Sequence, residues 1–435
     1  MNEIAGQARN DGWGIMDKKA NSKSGKRVRR PNGILYSVLV ILLIPVVKLM
    51  FRLKVDRSGY IPPDGPFVVL CNHASFMDFV VAMFAVFPKR LNSVVAQKYF
   101  FYRPLNWFLP FMGCIPKTLF APDPHSVMNI FTVIKRGDGL LLFPEGRASP
   151  GGGYMGINKA TGKLIKRLGV PVVSCYIEGA YTCMPFWRKG VRWGRQRATL
   201  DMLFSAEDIA HLTPDEINSR IDSRLSGADL AHTPDAMSVL REKNLLIGLE
   251  HLLYLCPKCH AEFAHKTYGN TIECTACGNT AVMDRFAYLR PTEGSICPES
   301  VHLWYKEQAL YEMAGLCDDG EIFRVEVTVR MDAGSGGGLA TCGRGVISLQ
   351  KSGWNYVGEL LGDEVNLFFP IDSVPAVPFD TNDNFQIYSG GTILDFRPVH
   401  GAHTCVKYAV IGECAYWKFV PNVQMTPVID MGLGC

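Results

Sequence analysis

The chain reads as an α/β protein, with a mostly parallel central sheet flanked by helices, followed by a small cysteine-bearing module and a β-rich C-terminal region. Three observations predict this. Between Gly65 and Arg224, short apolar runs at Phe67–Cys71, Ser93–Ala96, Gly139–Phe143 and Val170–Ile177 alternate with helix-like stretches, the layout of strand-helix-strand units. Two Cys-x2-Cys pairs then follow one another closely, and beyond Arg290 the texture changes to short segments of alternating apolar and polar residues. With 435 residues, 48% hydrophobic and 20% charged, the chain has material for two or three domains and is folded rather than disordered.

Residues 1–33 are a polar leader carrying Lys18, Lys19, Lys23, Lys26, Arg27, Arg29 and Arg30, which account for much of the positive charge in a chain of net +4. Residues 34–57 are predicted to anchor the protein to a membrane. Ile34–Val47 is almost unbroken apolar sequence with Pro45 inside, closed by Lys48, and Leu49-Met50-Phe51 precedes Arg52, Lys54 and Arg57. The uncharged run is shorter than the roughly 20 residues that cross a bilayer core, so a helix lying in the interface is expected alongside a span. Basic clusters on both flanks suit the cytoplasmic face, where each Lys or Arg side chain meets anionic headgroups for about 1 kcal/mol. The long charged leader and the lack of a small-x-small site argue against a signal peptide, and a core helix has no use for two basic flanks. Of the fourteen cysteines, Cys71, Cys114, Cys175 and Cys183 sit in apolar surroundings and read as reduced packing residues of a cytosolic protein.

Within residues 58–226, His73 and Asp78 directly follow the Phe67–Cys71 run, at the strand end where α/β folds place chemistry. A neutral imidazole takes a proton from an alcohol near pH 7, and a carboxylate on its other nitrogen fixes the tautomer and stabilises the imidazolium. A second apolar run, Leu140–Phe143, ends in Pro144-Glu145-Gly146-Arg147; Phe111–Lys117 sets a basic side chain after a glycine turn; and Val170–Val173 leads to Tyr176-Ile177-Glu178-Gly179-Ala180. Lys159–Leu168 has the pattern of a helix with one wet basic face bearing Lys159, Lys163, Lys166 and Arg167. Ser205–Asp208 has the form of a capping box, and Thr213–Glu216 opens another helix with Pro at its first turn, both on surface helices.

Taken in chain order, the four blocks Asn72–Asp78, Phe111–Lys117, Phe143–Arg147 and Val170–Ala180 resemble those of the lysophospholipid and glycerolphosphate acyltransferases, including the 1-acyl-sn-glycerol-3-phosphate acyltransferases, over about Gly59 to Arg224. The resemblance implies that residues 58–226 are the acyltransferase domain. His73 would be the general base for a glycerol hydroxyl and Asp78 its orienting partner. Lys117 and Arg147 would clamp the acceptor's phosphate, with Glu145 and Gly146 in the same substrate-binding turn. The acyl donor would be a thioester of coenzyme A or of acyl carrier protein, attacked without a covalent acyl-enzyme, and the strand around Val172 would line the acyl channel. Ala148 stands where the family commonly has Arg, and Lys117 where an Arg is common; Lys neutralises phosphate but lacks a bidentate fork.

Residues 227–250 are read as a linker helix: a polar stretch, Gly227–Asp235, leads into a helix over Met237–Leu255. Residues 251–290 are read as a zinc ribbon, with Cys256, Cys259, Cys274 and Cys277 supplying four thiolates for a structural ion. His260 and His265 are spare ligands. Lys258, Lys266 and Arg285 are too sparse a basic surface for nucleic acid, which is discounted as a partner. Residues 291–435 are predicted to be β-rich, as a small sandwich or a pleckstrin-homology-like barrel touching lipid headgroups, with Gly334–Gly338 as a flexible tip and Trp354, Tyr356, Phe368, Phe369, Tyr388 and Trp417 as core.

Together these readings describe a membrane-associated acyltransferase on the cytoplasmic face. Its partners are membrane phospholipids, a thioester donor and a lysophospholipid acceptor, with lysophosphatidate to phosphatidate as the leading reaction. The alternatives are another lysophospholipid, glycerol phosphate or dihydroxyacetone phosphate as acceptor, or a non-catalytic lipid-binding zinc-ribbon adaptor.

Overall fold

Apolar runs without alternation form strands covered on both faces, and the first half of the chain is built on them. The computed structural model describes residues 28–226, 240–334, 336–389 and 391–421. Most of the basic leader and the polar stretch 227–235 lie outside the described residues. Seven strands, β1 (Lys54–Gly59), β2 (Phe67–Cys71), β3 (Leu91–Ala96), β4 (Ile115–Lys117), β5 (Gly139–Leu142), β6 (Val172–Glu178) and β7 (Arg197–Phe204), make one sheet in the order β1-β7-β6-β2-β5-β3-β4. Only β6 and β7 pair antiparallel. Every residue of β2 and β5 is buried, and the two lie side by side in register, Phe67 opposite Gly139 and Leu70 opposite Leu142. Their carboxyl ends therefore release His73 and Glu145 at the same level of the same edge.

Around this sheet run α1 (Gly33–Phe51), α2 (Asp78–Ala85), α3 (Leu105–Phe111), α4 (Pro124–Lys135), α5 (Ala160–Leu168), α6 (Ala180–Cys183), α7 (Ala206–His211) and α8 (Pro214–Leu225). The helix expected over Lys159–Leu168 is α5, and the capping boxes at Ser205 and Thr213 open α7 and α8. Asn32 caps α1 by accepting from the Leu35 N–H. This helix has a mean hydropathy of 2.6 over its most apolar window and is two-sided: Tyr36, Val40, Val47 and Phe51 are buried while Ile34, Leu42 and Leu49 stand exposed. The buried positions run its whole length, so α1 lies along the domain.

The cysteine module is a four-stranded antiparallel sheet, β8 (His265–Tyr268), β9 (Thr271–Cys274), β10 (Thr280–Met283) and β11 (Leu289–Pro291). A helix, α9 (Val301–Gly315), then precedes a second seven-stranded sheet: β12 (Glu321–Asp332), β13 (Leu339–Gln350), β14 (Gly353–Leu360), β15 (Asp363–Pro370), β16 (Phe379–Asp380), β17 (Asn384–Ser389) and β18 (Thr392–Pro398), closed by α10 (Cys405–Phe419). Its order, β15-β14-β13-β12-β18-β17-β16, sets a four-strand meander beside a three-strand one with a terminal helix. The β-rich region expected beyond Pro291 is present. Trp354, Tyr356, Phe369 and Tyr388 are buried in it as expected, whereas Phe368 and Trp417 are half-buried.

Three expectations need correction. Residues 240–255 hold no α-helix, only a 3₁₀ turn at Leu249–His251. Leu245, Leu246, Leu249, Leu252, Leu253 and Leu255 are all buried, and the backbone is satisfied from outside: Tyr254 and Leu255 donate to the Gln308 side chain, Leu246 to the Gly269 carbonyl. An apolar run covered on all sides needs no helical period. Second, the region beyond Pro291 is β-rich as expected but also holds two helices, α9 and α10, that its sequence did not mark. Third, the glycine tip is docked: Gly338 donates to the Phe101 carbonyl at 2.8 Å and Arg103 to the Gly336 carbonyl at 3.1 Å.

Candidate active site

The turn after β2 is organised by one carboxylate. Asp78 is fully buried, and its Oδ2 accepts from the Ala74 and Ser75 N–H groups, each at 2.7 Å, while Oδ1 accepts from Ser75 Oγ at 2.9 Å. His73 Nδ1 lies 3.1 Å from Oδ2. A carboxylate can only accept, so Nδ1 carries the proton and Nε2 remains as the basic nitrogen. Phe143 packs on the imidazole with ring centroids 4.3 Å apart. The five-residue spacing thus puts the histidine in the turn and the aspartate in the first turn of α2, as the sequence predicts.

Glu145 fixes the same turn from the neighbouring strand. Its Oε1 accepts from the His73 N–H at 2.7 Å and its Oε2 from the Met155 N–H at 3.1 Å. Burial pushes its carboxyl up to about 8, against the pull of the two N–H donors and with a further push from the charge of Asp78. Gly146 makes this turn at φ +80°, donating to the Phe143 carbonyl. Asn72, which sequence reasoning did not single out, donates to the Ile177 carbonyl at 2.9 Å and accepts from its N–H at 2.7 Å, tying the ends of β2 and β6 together.

His73, Lys117, Glu145, Gly146 and Arg147 all line one cavity of about 1150 Å³. Its walls are largely apolar, with Leu43 and Val47 of α1, Phe79 and Met83 of α2, Phe108 of α3 and Ile130 of α4. No residue of the Val172 strand lines it; helices α1 to α4 and strand β3, through Ser93–Ala96, supply much of the lining. Both expected clamp cations reach the cavity already engaged. Lys117 Nζ donates to the Thr118 and Ala121 carbonyls at 2.9 and 3.2 Å, and burial draws its pKa down. Arg147 forms a two-pronged pair with Glu413 of α10, at 2.5 and 2.7 Å, and Glu413 also accepts from the Val377 N–H. Nothing local in the sequence marks Glu413, 266 residues away.

The C-terminal region completes the chamber. Phe379, Asp380, Gln386 and Tyr388 line it, Asp380 pairs with Lys98 at 3.3 Å, and Phe379 packs edge-on against Phe186. Gly153 lies so close to the His302 ring of α9 that a Cβ there would come within 2.0 Å of it, so α9 seats directly on the loop after Arg147.

Away from the chamber, the sulfurs of Cys256, Cys259, Cys274 and Cys277 lie within 4.8 Å of one another, with Cys256–Cys277 and Cys259–Cys274 each at 3.8 Å. A disulfide needs about 2.05 Å, whereas metal–sulfur bonds of about 2.3 Å set tetrahedral sulfurs about 3.8 Å apart. The four thiols therefore fit a tetrahedral metal. The two spare histidines are used elsewhere: His265 Nδ1 bonds to the Leu253 carbonyl, and His260 packs on Tyr311.

A mostly parallel sheet thus presents, at the end of its central strand β2, a half-buried His73 held by a buried Asp78 beside an apolar chamber. Residues 52–178 match the model of the Acyltransferase family. Chloroplastic 1-acyl-sn-glycerol-3-phosphate acyltransferases are similar: that of Brassica napus is 26% identical over 132 residues (29% of this chain, 37% of the relative), and that of Arabidopsis thaliana 26% over 146 residues (32% and 40%). The 1-acyl-sn-glycerol-3-phosphate acyltransferase of Bacillus subtilis is 22% identical over 112 residues, 26% of this chain and 56% of the relative. The chain thus spans about two fifths of the length of the plant relatives. The crystal structure of the Thermotoga maritima 1-acyl-sn-glycerophosphate acyltransferase is similar at 18% identity and a TM-score of 0.39, covering 52% of this chain and 90% of that one.

The raised pKa of Glu145 has a sign. The folded protein holds this proton up to about pH 8, whereas the unfolded chain releases it near the ordinary 4.5, so its contribution to stability is present at low pH and is lost as pH rises through that window. Urea unfolding from pH 5 to 8 is expected to show a shallower decline in stability for Glu145→Gln than for the wild type, and equal slopes would contradict the assignment.

Proposed function

We propose that the protein transfers a fatty acyl group from a thioester to the free hydroxyl of a lysophospholipid, with 1-acyl-sn-glycerol-3-phosphate as acceptor and phosphatidate as product. The observation that carries this is the His73–Asp78 pair, with its proton on Nδ1, opening onto a long apolar chamber. His73 Nε2 takes the proton of the acceptor hydroxyl as its oxygen attacks the thioester carbonyl. Asp78 stabilises the imidazolium, and when the tetrahedral adduct collapses the proton passes to the leaving thiolate. The carboxyl of Glu145 holds the His73 backbone in place and so acts as a positioning residue. The acyl chain occupies the space between α1, α2, α3 and α4. The names of the relatives support this acceptor. Replacing His73 by Ala is expected to lower kcat at least 1,000-fold while circular dichroism stays unchanged; transfer persisting within tenfold of wild type contradicts the role of His73.

Membrane association belongs to the same reading. Besides the exposed face of α1, Trp107, Phe111, Phe76 and Phe79 are exposed apolar side chains, the last two in the chamber's lining. Such a face is shaped to lie in a bilayer interface, where lipid substrates enter the chamber sideways. Ile34→Gln, Leu42→Gln and Leu49→Gln together remove three apolar contacts worth about 1.5 kcal/mol or more each at full burial. Co-sedimentation with anionic liposomes is expected to weaken at least tenfold, and unchanged binding contradicts the assignment.

The four-cysteine group is proposed to hold one structural zinc ion, remote from acyl transfer. Protein purified without chelator is expected to contain about one zinc per chain, and Cys259→Ser to lose it with the cooperative melting of the module. Full zinc content in that variant contradicts the assignment.

A further inference from the structure

Six basic side chains line the chamber, and four are already engaged. Lys98 pairs with Asp380, Lys117 bonds two carbonyls, Arg147 holds Glu413, and Arg188 pairs with Glu242 at 2.8 Å while bonding the Asn244 carbonyl. The remaining two are Lys163 and Arg167 of α5. Neither has an ion pair or hydrogen bond to any described residue, and both stand exposed at the chamber wall with Leu164 between them. They are four residues apart, so they share one helix face, where like charges repel in the absence of an anion. Lys166 on the same helix is turned away, giving its ammonium to the Ile209, Ala210 and Leu212 carbonyls at the end of α7. The basic face of α5 is therefore split between a structural cation and a pair offered to the chamber. Thr161 and Asn158 continue that wall with polar side chains.

We propose that Lys163 and Arg167 form the phosphate site of the chamber, taking an anionic phosphate of a substrate that the engaged Arg147 does not hold. The guanidinium of Arg167 offers a planar fork and the ammonium of Lys163 a point charge, together suited to a phosphate carrying one or two negative charges. This rests on the acyl-transfer reading, in which two substrates carry phosphate: the acceptor, as a glycerol phosphomonoester, and a coenzyme A donor. The acidic side chains lining the chamber are occupied elsewhere, Asp123 by the Thr118 and Ser126 N–H groups, Glu145 by the His73 and Met155 N–H groups, and Asp380 by Lys98, so none neutralises the pair.

The test uses the full chain with Lys163→Ala and Arg167→Ala combined. KM for lysophosphatidate is measured at saturating donor, and KM for acyl-CoA at saturating acceptor. One of the two KM values is expected to rise at least tenfold with kcat within about threefold of wild type, and which one rises identifies the phosphate held. The exchange Lys163→Arg with Arg167→Lys is expected to restore most of the affinity, which a purely structural role would not explain. Both KM values unchanged overturns the proposal. So does a Glu413→Ala variant that lowers KM for lysophosphatidate while the double alanine variant does not raise it, because the phosphate then sits on Arg147. If the wild type transfers no acyl group to any acceptor, the acyl-transfer reading fails separately. Calorimetric titration of lysophosphatidate and coenzyme A onto the wild type and the double variant still decides the site: binding lost in the variant upholds it, and equal binding, or none to the wild type, overturns it.

Discussion

A single buried carboxylate gathers everything that the chamber needs. Asp78 draws two backbone N–H groups, a serine hydroxyl and an imidazole N–H onto its two oxygens, with no exposure to water. Charge-assisted bonds of this kind are short and strong, and leaving any of the buried donors unpaired costs about 1–3 kcal/mol. The turn 72–77 is therefore wrapped around the aspartate as tightly as a ligand around an ion. Because Nδ1 is spent on this contact, the chemistry of His73 is confined to Nε2. Glu145 adds the second constraint by gripping the His73 backbone N–H from the end of β5, so that Asp78 holds the ring of this residue while the neighbouring strand holds its backbone.

The C-terminal half is more than an appendage to this arrangement. Glu413 reaches from α10 to take the fork of Arg147, α9 seats on the glycines that follow Arg147, and the β12–β13 tip hooks the 101–106 segment before α3. Three contacts from three separate elements fix the second sheet against the chamber, whose wall it supplies with Phe379 and Tyr388. A buried Arg-Glu pair contributes little net stability when both partners are present, yet removing one strands the other at a cost of about 3–5 kcal/mol. The pair therefore specifies where α10 sits. In consequence the guanidinium is shielded from an incoming phosphate by a carboxylate of the same chain.

Legibility in the sequence followed the distance over which each signal acts. The His73–Asp78 pair, the Glu145 turn and the four cysteines are local spacings set beside strand ends or turns, and each appears where its spacing placed it. Strands β2 and β5 were readable because their apolar runs are short and end directly in polar turn residues, the pattern of a doubly covered strand. The segment 240–255 misled because its leucines are buried from all sides, which destroys the periodicity that separates a helix from an irregular run. Helix α10 was hidden for a similar reason: Val406, Ala409, Val410, Ile411, Cys414 and Ala415 are buried, and its polar residues are too few to trace a face. The Arg147–Glu413 pair could not be read at all, since ion pairs between distant segments leave no local pattern. Arg147 was found in its expected turn, but its partner decides what it is free to do.

The central claim is that Asp78 holds the proton on Nδ1 of His73 and leaves Nε2 as the base. Nitrogen-15 NMR of the imidazole in the folded protein, at a pH where the ring is neutral, reads this directly. A protonated Nδ1 and a bare Nε2 are expected, with the two signals converging in Asp78→Asn as the tautomer preference is lost. A neutral ring protonated on Nε2 in the wild type would contradict the arrangement from which the proposed chemistry derives.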